Sequence, residues 1–406
     1  MTTQDFIQKY GEEQQEVTKN YTTKSVGKSY HVNDSFIEFC DNAFDAKIQG
    51  KPTNIVIDID NDTKAITVVD DGCGVKDEKL LFRLGGTDKD GQGKIGKYGI
   101  GVPGAVAGLA TKCRYNQGVP VEVVFESAYN GSKFVKHVLF NTKGEQIIGK
   151  AEHFSCEKEQ HYTIVKFTNV YMPQIIDLIA ALEQTFEEAL KNSIHIIVNG
   201  RELGKSSKPT FTGEEIEEKI NVGNFTVYVK WRISSSDSSD EREFEKSGIR
   251  IYDKKTGRLL GINTKYWEWF AGRNAQQNIC GIRIGIYIES SIECYDKFGV
   301  LPTKNGIAYK KYYKDPDFKE LSERLREIYR KASHTSASSS DFETITLGAR
   351  SFQPTASKLL TPFVEIDSNT VMFRRKWSND EIANFINDYI NLKRKVEKKE
   401  LKTSKR

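Results

Sequence analysis

Apolar positions along this chain change period from segment to segment. Between Asp34 and Lys47 they fall at Phe36, Ile37, Cys40 and Phe44, one face of a helix, and Asp34 or Ser35 can cap its start. Asn54-Ile-Val-Ile-Asp-Ile59 then alternates with period two, and Ala65-Ile-Thr-Val-Val-Asp70 reads as a second strand. Asn61-Asp62 supplies the turn of a hairpin between them. Further strands are expected at 121–126, 134–140, 162–168 and 194–200, with helices after Gly101 and at 174–191. Pro103 suits the first turn of the former helix, where a missing N–H costs nothing. The first 200 residues therefore mix strands and helices as an α+β layer.

A second unit follows. Phe225–Ile233 reads as a strand, 234–240 as a polar loop, 248–253 and 281–288 as strands, and 317–332 as a helix. The run SHTSASSS, 333–340, has linker composition. Ser378-Asn-Asp-Glu381 then forms a capping box before an amphipathic helix. The expected organisation is an N-terminal segment 1–30, domains 31–200 and 201–332, an irregular linker 333–376, and a helix with a basic tail, 377–406.

Composition narrows the class. Charged residues make up 29% and hydrophobic ones 38%, and no run of 18 apolar residues is present, so no membrane span is expected. The polar start MTTQDFIQKYGEEQQE reads as neither signal nor transit peptide. Six scattered cysteines without a C-x-x-C pair suggest reduced thiols and a cytoplasmic, nuclear or nucleoid-associated setting. The six histidines are dispersed, so no zinc site is expected. Net charge is +4, but residues 391–406 hold eight Lys or Arg against two Glu, so attraction to nucleic acid would come from that tail or a local patch.

Three stretches carry candidate chemistry. In EFCDNAFDA, Glu38, Asn42 and Asp45 lie at helical spacing on roughly one face. An Asn oxygen can coordinate Mg²⁺ and a Glu can polarise water for attack on a phosphate, whereas a solvated polar face would show the same spacing. Asp70-Asp-Gly-Cys-Gly-Val75 closes a strand. Its Gly72 and Gly74 allow a flat ligand close approach, and a carboxylate there can accept from an exocyclic amine such as adenine N6. The stretch GQGKIGKYGIG, Gly91–Gly101, fits the front of a P-loop. Tyr98 stands where a Mg²⁺-binding Ser or Thr is needed, and no strand precedes it, so the P-loop reading fails. Gly96, Gly99 and Gly101 instead expose N–H groups ahead of a helix start, with Lys89, Lys94 and Lys97 adding positive charge.

In this order the three stretches resemble the GHKL ATPases: gyrase, heat-shock chaperones, histidine kinases and the MutL repair proteins. The N-box E-x-x-x-N-x-x-D-A appears as Glu38, Asn42, Asp45 and Ala46, D-x-G-x-G as Asp70, Gly72 and Gly74, and the lid glycines as Gly96, Gly99 and Gly101. A fourth family motif, Gly-Thr before a strand, looks like Tyr162-Thr163, with Tyr in place of Gly. Only 37 residues and one His, His31, precede Glu38, so the histidine-kinase arrangement is not expected. Ile95–Gly101 and Ile194–Gly200 look most similar to the Microrchidia (MORC) branch, with MutL next, although Pro103-Gly104 stands where MORC relatives often carry Lys-Ser.

The resemblance implies a Bergerat-type ATP-binding α/β sandwich followed by a transducer domain of the ribosomal S5 type. It implies Glu38 as the water-directing base and Lys304 as a γ-phosphate sensor. Asn42 would hold Mg²⁺, and ATP would contact Asn42, Asp45, Asp70, Gly72, Gly74, Lys94, Gly96, Lys97, Tyr98, Gly99, Ile100, Gly101 and Thr163. The leading expectation is a Mg²⁺-dependent ATPase switch that dimerises on ATP binding, with Phe6, Ile7, Tyr10 and Tyr21 available to a partner subunit, and that acts on DNA. A nucleotide-sensing interaction module with negligible turnover is the alternative, and a heat-shock-type chaperone ranks last.

Overall fold

A computed structural model of the chain describes residues 1–13, 27, 30–82, 101–117, 119–170, 172–191, 193–204, 211, 213–234, 247–263, 279–301, 304, 306–308, 312–338, 342–351 and 363–374. It has two compact units, residues 1–326 and 327–406.

The first unit is α+β and holds two sheets. Its larger sheet has nine strands: β1 Thr53–Asp60, β2 Ala65–Asp70, β3 Val121–Tyr129, β4 Ser132–Phe140, β5 Gln146–Ile148, β6 Glu152–Ser155, β7 Tyr162–Thr168, β8 Ile194–Val198 and β9 Arg201–Glu202. They run in the order β5-β4-β3-β7-β2-β1-β8-β9, with β6 also on β4. Only the β1–β8 pairing is parallel. The β1–β2 turn is held locally, because Asp60 accepts from the Asp62 and Thr63 N–H groups and the Thr63 hydroxyl.

Helices α1 Thr3–Tyr10, α2 Val32–Asp45, α3 Gly101–Gln117 and α4 Ile175–Thr185 complete this layer. Ile55, Ile57 and Ile59, on one face of β1, share a core with Phe36, Phe39 and Cys40 of α2, Val106 of α3 and Leu178 of α4. Helix α2 begins two residues earlier than expected. Asp34 is not its cap but sits in the first turn, where its carboxylate accepts from His31 N–H at 2.9 Å. The expected helix 174–191 is shorter, ending at Thr185 before a 3₁₀ turn at Ala189–Lys191.

The N-terminal helix was not expected from periodicity. Its Phe6 packs with Leu139 and Ile147, joined by Ile7 and Tyr10, and the Tyr10 ring stacks on His137 at 3.9 Å. Lys136, itself buried, pairs with Glu13. The aromatic residues expected to face a partner subunit therefore pack, at Phe6 and Tyr10, on their own sheet. Tyr21 lies outside the described residues.

The smaller sheet has five strands: β10 Ile216–Val222, β11 Phe225–Ile233, β12 Gly248–Asp253, β13 Leu259–Asn263 and β14 Ile282–Ile288, ordered β10-β11-β14-β12-β13. Strand β12, beside the central β14, is buried at every position. Helix α5, Ile292–Phe298, follows β14 and ends at Gly299, whose φ of 68° is the left-handed cap glycine favours. The sheet change falls between Glu202 and Ile216, near the expected domain boundary at 200.

Two expectations for the C-terminal region are corrected. Helix α6 spans Lys319–Ser338, through most of the serine-rich run read as a linker. Ser costs only a few tenths of a kcal/mol relative to Ala, about the range of ordinary residues, and extending a formed helix is easy. The stretch 333–376 is not irregular either: β15 Phe342–Ser351 and β16 Phe363–Arg374 pair antiparallel. The helix expected at 377–406 and its basic tail lie outside the described residues. No described helix is long and apolar enough to cross a membrane.

Candidate functional site

Helix α2 presents Glu38, Asp41, Asn42 and Asp45 at offsets of three, four and seven, so they share one face. The Asn42 side-chain amide donates to the Glu38 carbonyl at 2.7 Å, which fixes the orientation of its carboxamide. Glu38 and Asp41 are 3% and 0% exposed, and two cations meet them there: Lys304 and Arg258, 2% and 1% exposed. Lys304 Nζ lies 3.2 Å from Glu38 Oε2 and 3.1 Å from Asp41 Oδ2. Arg258 Nε donates to Asp41 Oδ1 at 2.6 Å, and its Nη1 donates to the carbonyls of Leu259 and of Lys304 itself.

The result is a buried square of two carboxylates and two cations. Arg258 grips the Lys304 backbone while Asp41 grips both their charged ends. Burial works against the charge of Lys304, but Asp41 and Glu38 outweigh it, so its pKa stands above the ordinary lysine value. Lys304 also has a φ of 54°, a left-handed conformation that costs a non-glycine residue about 1–3 kcal/mol and marks an over-determined position.

Across the sheet, Asp70, Thr163 and Ser127 stand opposite one another on β2, β7 and β3. Asp71 is occupied: it accepts from Asn54 N–H at 2.7 Å and from the Asn54 amide at 2.5 Å. Asp70 is engaged differently. Its Oδ1 accepts from Gly72 N–H at 3.0 Å. Desolvation is the main influence on Asp70, and it pushes its pKa up to about 7 against that hydrogen bond. The side chain is only partly exposed by area, and most of its surroundings are protein.

The glycine loop after Asp70 is held at both ends. Cys73 N–H donates to Ala46 O at 2.7 Å at the end of α2, and Val75 N–H donates to Ser127 Oγ at 2.9 Å. Ser127 in turn donates to Tyr162 O and lies 3.3 Å from Thr163 Oγ1. Gly74 has φ +77°, and a Cβ there would meet Ala128 O at 2.0 Å, so no other residue fits. Gly101, the first residue of α3, approaches Glu38 so closely that a Cβ would lie 1.8 Å from Oε1.

The structure thus gathers Lys304 and Gly101 at Glu38 in the middle of α2, with Asn42 one turn on, and sets the Asp70–Gly74 loop, with Thr163 paired to Asp70, against the C-terminal end of α2 just after Asp45. Lys94, Gly96, Lys97, Tyr98, Gly99 and Ile100 lie outside the described residues. Asp41, Arg258 and Ser127 were missed in the sequence. Asp41 could have been found from its three-residue offset to Glu38, whereas nothing local marks Arg258 or Ser127.

Among the described residues, no group of three or more His, Cys, Asp or Glu could hold a metal ion. A hard divalent ion such as Mg²⁺ keeps several waters and needs few protein oxygens, so it does not require such a group. Asn42, whose amide terminus is already oriented by Glu38, fits the role of one such oxygen ligand.

Residues 30–116 match the family described as "Histidine kinase-, DNA gyrase B-, and HSP90-like ATPase". Among solved structures, the ATPase region of Saccharomyces cerevisiae topoisomerase II is similar at 16% identity and TM-score 0.42, covering 74% of this chain and 86% of that one. The same region bound to ICRF-187 (dexrazoxane) gives 16% and 0.40, covering 73% and 86%. No curated protein is significantly similar in sequence. The matched segment contains the Glu38–Asn42–Asp45 helix, the Asp70–Gly74 loop and most of α3, so the likeness to the GHKL ATPases rests on residues 30–116.

Proposed function

We propose that this protein is a magnesium-dependent ATP-binding and ATP-hydrolysing conformational switch. The observation that carries the reading is Lys304, which reaches from the smaller sheet's side of the unit to within 3.2 Å of Glu38. A cation delivered from a distant part of the chain to the candidate general base is the arrangement a terminal-phosphate sensor requires.

In this reading Asp70 accepts from the adenine amine, Gly72 and Gly74 let the base lie close, and Thr163 lines the same edge. Asn42 would supply an oxygen to Mg²⁺, with Asp45 beside it. Bound there, the metal would neutralise phosphate charge. Glu38 takes a proton from the water that attacks the terminal phosphorus, the bond from that phosphorus to the bridging oxygen breaks so that ADP and phosphate form, and Lys304 leaves its carboxylate partners for the phosphate. Gly96 and Gly99, with Lys94, Lys97, Tyr98 and Ile100, all outside the described residues, and Gly101 at the start of α3, are assigned to phosphate contact in this reading. The smaller sheet acts as an S5-type transducer that moves with Lys304, in the manner of the MORC and MutL branches. ATP-dependent homodimerisation belongs to the proposal, and it would require Phe6 and Tyr10 to exchange or keep their present docking. DNA is the proposed macromolecular ligand, through the basic residues of 391–406.

A nucleotide sensor with negligible turnover is favoured by one observation: the Lys304 ammonium rests on Glu38, which weakens it as a base while the contact lasts. Phosphate release from ATP, measured for the wild type and Glu38→Gln, separates the two. The switch reading expects turnover that Glu38→Gln abolishes. Nucleotide binding without turnover favours the sensor, and no nucleotide binding overturns both.

A further inference from the structure

We propose that the hydroxyl of Tyr30 is an unassigned ligand-binding group that donates a hydrogen bond to the terminal phosphate of the bound nucleotide; this rests on the ATP-binding reading above.

Tyr30 is 1% exposed, and its hydroxyl has no hydrogen-bond partner among the described residues. A buried hydroxyl left unpaired is costly, so such a group is expected to meet a partner in some state of the protein. The direction of the side chain identifies that partner. A Cβ at Gly108 would lie 2.7 Å from Tyr30 Cβ, while one at Gly104 would lie 2.3 Å from Cε2 and 2.8 Å from Cζ. The ring therefore runs along α3 from Gly108 toward its N-terminus, and its oxygen-bearing end reaches the first turn. Gly101 in that turn abuts Glu38 Oε1.

Two glycines, one turn apart, make the channel that holds this ring. Any side chain at Gly104 would displace the phenol from the helix start. The electrostatics agree with the geometry: after burial, the charges of Glu38 and Asp41 are the next influences on the phenol, and together they hold it above the ordinary tyrosine pKa. The group is a neutral donor at any working pH. Glu38 and Asp41 are already matched by Lys304 and Arg258, so the ligand-free site has little use for another donor. A terminal phosphate brings new acceptor oxygens, and the start of a helix is where an anion is favoured.

The test is Tyr30→Phe, which removes one oxygen and keeps the ring. Binding of Mg²⁺ with a non-hydrolysable ATP analogue, and of ADP, would be measured by calorimetry beside the melting temperature of ligand-free protein. We expect affinity for the triphosphate analogue to fall about tenfold, the scale of a hydrogen bond to a charged group, with ADP affinity unchanged. The ligand-free melting temperature should stay the same or rise, because an unpaired hydroxyl has been removed. Unchanged affinity for the triphosphate overturns the proposal, as does an equal loss for ADP. A lower ligand-free melting temperature with unchanged selectivity makes the hydroxyl structural and also overturns it. Failure of the wild type to bind either nucleotide would instead sink the ATP-binding reading, so the two failures are distinct.

Discussion

Asp41 and Arg258, 217 residues apart, form a 2.6 Å hydrogen-bonded ion pair with essentially no access to solvent. The pair fastens α2, which carries the candidate base, to the turn before β13, and Arg258 passes the constraint on to the Lys304 carbonyl. Removing one partner leaves a buried charge without its counterion. Asp41→Asn is expected to destabilise the protein by about 3–5 kcal/mol, whereas Asp41→Asn with Arg258→Gln should recover much of that loss. Chemical denaturation of both variants decides the matter; equal loss in single and double variants would show that the pair is not the unit of stability.

Glu38→Gln tests the base. Proton transfer by a positioned carboxylate contributes about 10²–10⁴-fold, so turnover should fall by that order. Nucleotide affinity should hold or improve, because Lys304 loses one of its two carboxylate partners and is freer to engage phosphate. Turnover surviving at wild-type level would remove Glu38 from the mechanism.

Gly74→Ala tests the loop after Asp70. With φ at +77° and the Ala128 carbonyl 2.0 Å from any Cβ, the loop must move away from β3. The left-handed conformation alone costs about 1–2 kcal/mol for an L-residue. We expect a lower melting temperature and loss of nucleotide binding together. Calorimetry showing wild-type affinity would mean that this loop does not shape the site.

Phe6→Ala separates a packing role from a partner role for the N-terminal helix. Phe6 is buried against Leu139 and Ile147, so truncation should cost about 3–5 kcal/mol at any protein concentration. A loss that appears only when nucleotide drives self-association, seen by light scattering, would assign Phe6 to a partner subunit instead.

What could be read in advance follows from distance along the chain. Glu38, Asn42 and Asp45 share a helical face because of spacing alone, and β7 and β11 were legible because they alternate between turn residues. The packing of Phe6 within its own chain was not legible because Leu139 and Ile147 lie far along the sequence. Asp41 sat in plain view within EFCDNAFDA, yet its role needs Arg258 and Lys304, which lie more than 200 residues further along the chain. Edge strand β10, IEEKINV, has only two buried residues, and its exposed positions mix Ile216 and Asn221 with the charges of Glu217 and Lys219, so its pattern was too weak to detect. The hairpin of β15 and β16 was hidden by the serine-rich run before it.

Asp70 gives the site a pH signature with two opposite signs. Its folded-state pKa is raised to about 7 from an ordinary 3.8, because burial disfavours the charged form. A raised carboxylate pKa means that the ligand-free fold prefers the proton. The stability contributed is fully present below about pH 4 and is lost as pH climbs to about 7. An amine-accepting role needs the opposite state, since the ionised carboxylate is the stronger acceptor. Adenine-nucleotide affinity should therefore rise from about pH 6 to 8, while ligand-free stability from this group declines from about pH 4 to about 7. Phosphate ionisation also strengthens binding over this interval, so the decisive quantity is the difference between wild type and Asp70→Asn. The variant binds more weakly, by about 1.5–3 kcal/mol at pH 8 for a lost charged hydrogen bond, and the gap should narrow as pH falls. A gap that stays constant from pH 6 to about 8 would show that Asp70 is not the titrating acceptor.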